Sequence, residues 1–204
     1  MSATKFDKKI LYQLEYGLYV LTVNDGKKDN GCIVNTVMQV ASTPVIIAVG
    51  VNKQNYTCEV IQKTGVLNIN TLTKSASFEL FKNFGFQSGK DVDKFDDCSF
   101  ERSENGLPIL IGHTKGFISL VVEDEIDLGS HILFLCKPTD GKTITDRPGV
   151  TYSYYQEHIK PKPKQAQSKG FMCKVCGYIY KGETLPDDYI CPICKHGADD
   201  FITL

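Results

Sequence analysis

The 204-residue sequence predicts a mainly β fold: a β-barrel with helical inserts, joined to a small C-terminal metal domain. Three observations carry this reading. Short runs rich in β-branched and aromatic residues recur through the first 155 positions, with few helical stretches between them. Neither a strand–helix–strand rhythm nor a Gly-x-Gly-x-x-Gly turn occurs, which argues against a parallel nucleotide-binding sheet. Four of the eight cysteines crowd into the last 36 residues, at metal-ligand spacing.

Each element has its own justification. Tyr16–Val23 is a strand candidate, closed by the turn residues Asn24-Asp-Gly-Lys27. Asp29-Asn-Gly31 reads as a second turn signal, and Cys32–Val40 as the next strand. Pro44–Val51 is apolar enough to be buried on both faces, and Val66–Leu72 is a fourth strand. Phe117–Asp127 and His131–Lys137 bracket Leu128-Gly-Ser130 as a hairpin. Two helices interrupt the strands. Asn55–Thr64 has Asn55 as N-cap and Gly65 as its stop. Ser75–Phe84 carries Phe78, Phe81 and Phe84 on one face, with Gly85 behind them.

Composition excludes several classes. The chain is 42% hydrophobic and 23% charged, as an ordinary globular protein is. No window approaches the ~18 apolar residues of a membrane span. Met1–Asp7 lacks the apolar core of a signal peptide, so a cytoplasmic location without membrane contact is expected. A net charge of −1 speaks against a nucleic-acid surface. In a reducing compartment the clustered cysteines are metal ligands, not disulfides. The scattered Cys32, Cys58, Cys98 and Cys136 read as small buried hydrophobes.

Lys160–Gly170 alternates Pro and Lys and has no large apolar side chain, so it can bury very little. The expected division is a barrel over 1–158, a joint over 159–169, and a metal domain over 170–204. The joint should act as a flexible tether, leaving the tail undocked.

Cys173-Lys-Val-Cys176 and Cys191-Pro-Ile-Cys194 are two knuckles 14 residues apart. Two residues between paired cysteines let the backbone curl round one ion, and two knuckles complete a tetrahedral tetrathiolate. The spacing alone fits iron or zinc. Gly177 permits the turn that aims amide hydrogens at sulfur. Five aromatics (Phe171, Tyr178, Tyr180, Tyr189 and Phe201) can form an apolar shell that favours iron.

These residues carry a resemblance. Phe-x-Cys-x-x-Cys-Gly-Tyr-x-Tyr, then Leu185-Pro186, then Cys-Pro-x-Cys, resembles rubredoxin. The shortened middle is similar to the rubredoxin domains of rubrerythrins and high-molecular-weight rubredoxins. The chain departs from free rubredoxin in having Tyr189 in the region of a Trp, and Lys195 where a Gly follows the last cysteine. The resemblance implies one iron held by Cys173, Cys176, Cys191 and Cys194, cycling between Fe(III) and Fe(II).

A one-electron centre fed from a hydride donor needs an intermediary that accepts pairs and releases singles, which a flavin does. Asn35-Thr36-Val-Met-Gln39-Val-Ala-Ser42 is unusually polar for strand territory. Asn52-Lys53-Gln-Asn55-Tyr56-Thr57 leads a strand into a helix N-terminus, where a phosphate or ordinary capping both fit. With Asn30–Pro44 and Gly65–Asn70, these runs are similar to the flavin reductase-like, FMN-binding split-barrel family. That resemblance implies flavin contacts from Asn35, Thr36, Gln39 and Ser42, and a phosphate site at Asn52, Lys53, Asn55, Tyr56 and Thr57. It implies nicotinamide contact at His131, and orientation for hydride transfer by Thr36, Ser42 and His131, of which His131 and Thr36 are the catalytic candidates. Thr151-Tyr-Ser-Tyr-Tyr155 is similar to the closing segment of rubredoxin-fused members.

Together the halves resemble the high-molecular-weight rubredoxins. The resemblance implies electron flow from NAD(P)H through FMN to iron, a homodimer formed by the barrels, and an external acceptor such as a flavodiiron O2 or NO reductase. Two alternatives stay open: an electron carrier reduced by another reductase, and a flavin barrel whose zinc ribbon binds a protein.

Overall fold

A computed structural model describes residues 6–161 and 170–204. Its first part is a seven-stranded antiparallel sheet that curls on itself. The strands are β1 (Tyr19–Asn24), β2 (Asp29–Val34), β3 (Val37–Ser42), β4 (Val45–Asn52), β5 (Val66–Leu72), β8 (Thr114–Asp127) and β9 (His131–Thr143). The short pair β6 (Phe100–Arg102) and β7 (Pro108–Leu110) lies apart from that sheet. The order is β2-β1-β5-β8-β9-β4-β3. The two edges, β2 and β3, are consecutive in the chain and separated only by Asn35 and Thr36. The barrel is therefore split at those two residues, where the Gly50 amide donates to the Thr36 carbonyl.

The sequence treats Cys32–Val40 as one strand and Asp29–Gly31 as a turn. The structure corrects both. Gly31 lies inside β2, where a Cβ would stand 2.7 Å from the Leu21 carbonyl oxygen and 3.2 Å from the Phe84 ring. The glycine is there for close approach, not for a turn. The true turn is Asn24–Lys28: the Asp25 carboxylate accepts from the Lys27 and Lys28 amides, and Gly26 has φ of 92°. Those amide bonds, Lys28 first, and the Tyr56 hydroxyl hold the Asp25 carboxyl down at about 2.

Both faces of β1 are buried. Leu21 and Val23 face the barrel interior with Val49, Val51, Leu67, Ile69, Leu120 and Phe134. Val20 faces a second core outside it, built from Phe81 and Phe84 of α2 (Phe78–Gly85) with Phe95, Leu110 and Tyr155. The helix expected over Ser75–Phe84 starts later, at Phe78, with the Ser77 hydroxyl as its cap, and it takes in Gly85 as its last residue. The other helix, α1 (Tyr56–Thr64), stops at Gly65 with φ of 69° as expected, while Asn55 occupies the N-cap without a side-chain cap bond.

The β6–β7 hairpin has no strand signal beyond three residues a side. It is fastened by two buried asparagines of β5. The Asn68 amide donates to the Ser103 hydroxyl at 2.7 Å, and the Leu110 amide donates to Asn70 Oδ1 at 3.0 Å. Of the scattered cysteines, Cys32, Cys58 and Cys136 are buried, but Cys98 is half-exposed.

The barrel ends in a helical turn, Tyr152–Tyr154, that runs into a π-helical turn, Tyr155–Ile159. Ile159, at the start of the expected joint, still packs on the outer core. Most of the joint, 162–169, lies outside the described residues. The tail has three short strands, β10 (Phe171–Cys173), β11 (Ile179–Tyr180) and β12 (Phe201–Thr203), in the order β11-β10-β12. Among the described residues, no helix is long and apolar enough to cross a membrane.

Candidate functional site

The tail gathers its four cysteines at one point. Cys173 ends β10 and Cys176 lies three residues on, with Gly177 left-handed at φ 78° and its amide donating to the Cys173 carbonyl at 2.8 Å. The second knuckle repeats the geometry. The Lys195 amide donates to the Cys191 carbonyl at 2.9 Å, and Lys195 takes φ of 63°. Lys195 thus occupies the conformation that the first knuckle gives to glycine. All four Sγ atoms lie within 4.8 Å of one another, with Cys173–Cys194 at 3.5 Å and Cys176–Cys191 at 3.4 Å. A tetrahedral ion with ~2.3 Å bonds sets its sulfurs roughly 3.8 Å apart, so the set fits one ion.

Without an ion, the sulfurs share protons with one another. A hydrogen bond from the Cys194 thiol, aided by the Tyr178 amide and the other thiols, pulls Cys176 down to about 5. Cys194 is pushed up, first by that bond and then by burial. Four thiolates this close repel one another unless a cation sits among them. Cys173 and Cys191 are fully buried against Phe201, while Cys176 and Cys194 are half-buried. Tyr189 packs between Tyr180 (centroids 4.6 Å apart, tilted) and Phe201 (5.4 Å, edge-on), filling the region where rubredoxin has a Trp.

The barrel contributes a cleft of about 330 Å³ at its split edge. Asn52 and His131 line it from strand ends, Asn35 from the gap between β2 and β3, Asn55 from the N-cap of α1, and Tyr152, Tyr155 and Gln156 from the closing helical turns. The register explains the grouping, because Asn52 at the end of β4 pairs with His131 at the start of β9. The far wall belongs to the tail: Val175, Cys194 and His196. Desolvation at the cleft, and then His196, draw the His131 pKa below its ordinary value. The His131 ring Nδ1 lies 2.9 Å from the Ser130 hydroxyl.

An adjoining cleft of about 340 Å³ takes in Asn52, Asn55, Tyr56 and Thr57 with the loop after α2. Its floor holds Cys32 and Lys94. The Lys94 ammonium donates to the carbonyls of Gly31 (2.8 Å) and Phe84 (3.2 Å), and burial lowers its pKa to about 8. Thr57 accepts from the Asn30 amide at 3.2 Å. Thr36 lies with Asn35 in a third hollow, of about 580 Å³, walled by Leu11 and Leu14.

Three of the expected residues stand apart from these hollows. Gln39 and Ser42 are exposed on edge strand β3, with the Gln39 amide donating to the Ala41 carbonyl. Lys53 pairs with Asp127 at 2.7 Å. Sequence reasoning missed Phe86, Gln156 and Lys94, which reach the clefts from beyond every quoted motif. Phe86 follows a helix whose apolar stripe already explained the aromatics around it. Lys94 sits in an Asp-rich loop that reads as solvated surface.

Comparison with known proteins matches this division. Residues 11–162 match the flavin reductase like domain family, and residues 171–202 the rubrerythrin, rubredoxin-like domain family. The chain is 34% identical to the high molecular weight rubredoxin of Moorella thermoacetica, over 96% of this chain and 98% of that protein. It is 32% identical to the ferric-chelate reductase (NAD(P)H) of Archaeoglobus fulgidus, over 78% of this chain and 92% of the relative. Among solved structures, the NADH:FAD oxidoreductase SgcE6 of Streptomyces globisporus superposes with a TM-score of 0.64 at 20% identity, covering 76% of this chain and 95% of that one. A mainly β flavin reductase-like barrel with an iron-binding tetrathiolate tail, alike over its whole length, belongs to the high molecular weight rubredoxins, a family of electron-transfer oxidoreductases.

Proposed function

We propose that the chain takes electrons from NAD(P)H on an FMN bound at the split edge and passes them to iron in the tail. From there they go to a separate redox protein, a flavodiiron O2 or NO reductase being the class that fits. FMN accepts the hydride pair and gives electrons singly, and the tetrathiolate iron stores one at a time.

The chain's own residues have distinct tasks in this reading. Asn35, Asn52 and Asn55 offer amide donors and acceptors to a planar heterocycle. Tyr152 and Tyr155 supply an aromatic wall that keeps water out of the cleft. The start of α1, with Tyr56 and Thr57, suits a phosphate, because helix amides and the dipole favour an anion. Lys53, held by Asp127, contributes to it only by exchanging partners. His131 in the cleft and Thr36 at the split orient the nicotinamide. No side chain is asked to move a proton, so positioning supplies the rate.

The single observation that carries this reading is the shared cleft. One cavity is lined by His131 and Asn55 on the barrel and by the iron ligand Cys194 on the tail. A group lodged there touches both halves of the electron path. Rapid mixing of the purified protein with NADH under anaerobic conditions tests it. Flavin bleaching is expected first, and iron bleaching next at a rate independent of protein concentration. Reduction of neither chromophore by NADH or NADPH would instead make the chain a carrier reduced by another enzyme.

A further inference from the structure

The barrel's last described turn reaches onto the metal tail. By sequence, Lys160 opens a solvated Pro–Lys stretch. In the structure its ammonium donates to two carbonyl oxygens of the first knuckle, those of Lys174 and Val175. In this turn the amides of Val175 and Cys176 face the Cys173 sulfur. The carbonyls consequently face outward and need a donor from elsewhere. Lys160 is half-buried, and its base is fixed because its own amide donates to the Tyr155 carbonyl at 2.8 Å. Burial lowers its pKa, and three sulfurs near it, Cys176 most, then Cys173 and Cys194, oppose that by favouring the charged form.

We propose that Lys160 is a positioning residue that clamps the first knuckle to the barrel and raises the reduction potential of the iron. The idea rests on the iron reading above. When Fe(III) takes one electron to become Fe(II), no bond forms or breaks, and the net charge of the tetrathiolate goes from 1− to 2−. A fixed cation nearby stabilises the more negative state. At an effective dielectric near 20, a unit charge within ~12 Å shifts that equilibrium by about tenfold, which is ~59 mV for one electron.

The test is the iron midpoint potential of the full chain, read from its visible spectrum during titration with dithionite, without NAD(P)H. Lys160→Met keeps the stem and removes the charge. A fall of potential equivalent to about tenfold is expected, with Lys160→Arg restoring most of it. Lys181→Met, an exposed tail lysine, should leave the potential in place. Loss of the clamp should also expand the protein in small-angle scattering. Lys160→Gln serves if the methionine variant does not retain iron. A ferric Lys160→Met protein with wild-type potential and dimensions overturns the proposal and leaves the iron reading intact. A colourless, zinc-loaded wild type overturns both.

Discussion

At the scale of residues, Lys195 is the clearest conflict between side chain and backbone. A left-handed φ costs a residue with a Cβ about 1 kcal/mol relative to glycine. Lys195→Gly is therefore expected to strengthen the second knuckle by about 1 kcal/mol, read as slower loss of iron to a chelator. An unchanged rate would mean that the strain is relieved on metal binding. Lys94 permits a pH prediction. Its folded pKa, about 8, lies below the ordinary 10.5 because burial disfavours the charged form. Between those values the unfolded chain binds the proton and the folded one does not, so stability rises with pH across that window, by about 3 kcal/mol in total. Buried cysteines and tyrosines act oppositely there, so the difference from Lys94→Met is the informative quantity. That variant should lack the rise in urea midpoint from pH 8 to 10.5, and parallel pH curves would refute the assignment. The sequence showed Lys195 at a glycine position but not its backbone conformation, and it gave no sign that Lys94 is buried. The positive φ of Lys195 becomes visible only against Gly177, and the burial of Lys94 depends on where β2 and α2 meet.

Elements were more legible than their ends. The Phe78–Phe84 stripe predicted a helix, and two of its three rings, Phe81 and Phe84, are buried at 2% and 1% exposure. Phe84→Ala should cost about 3–5 kcal/mol, since the ring packs edge-on against Phe95 and over Gly31. A thermal scan that leaves the barrel transition in place would place α2 outside the cooperative unit. The Leu128–Ser130 hairpin was found because its turn signal separates two apolar runs. The break between β2 and β3 was not found, because Asn35 and Thr36 lack the Gly or Pro that usually marks an interruption. The polarity of Asn35 and Thr36 was visible, but it pointed to a ligand and not to a strand break. The knuckles, by contrast, were fully readable, because cysteine spacing fixes a ligand geometry whatever surrounds it.

At the scale of the molecule, one surface stands out. Met38 and Val40 on edge strand β3 are each 51% exposed, and Ile10 and Leu11 near the N-terminus are 57% and 49% exposed. An exposed apolar edge strand is a surface a second barrel would cover. We propose that the chain forms a homodimer and that β3 lies in its interface. Met38→Asp with Val40→Asp should shift the protein from dimer to monomer in analytical ultracentrifugation and loosen its flavin. A dimer that survives both changes would move the interface elsewhere. The two-part plan of barrel and tail was readable from cysteine clustering and the Pro–Lys run. The contact between them was not, because Lys160 looks like any other lysine of the joint until the knuckle carbonyls are seen in front of it.

The position of that lysine, at the head of the joint, has a consequence for spacer length. A tail held only by its leash would lose its partner steadily as the leash grew. A tail gripped at Lys160 docks in a place that the leash does not choose. Doubling the joint with about ten Gly and Ser residues after Lys164 adds only loop-closure entropy, ~0.6 kcal/mol, and should slow iron reduction less than threefold. The joint is then free to vary by insertion and deletion. A drop of tenfold or more in the stopped-flow rate of the lengthened protein would show that length, and not the grip, sets the encounter.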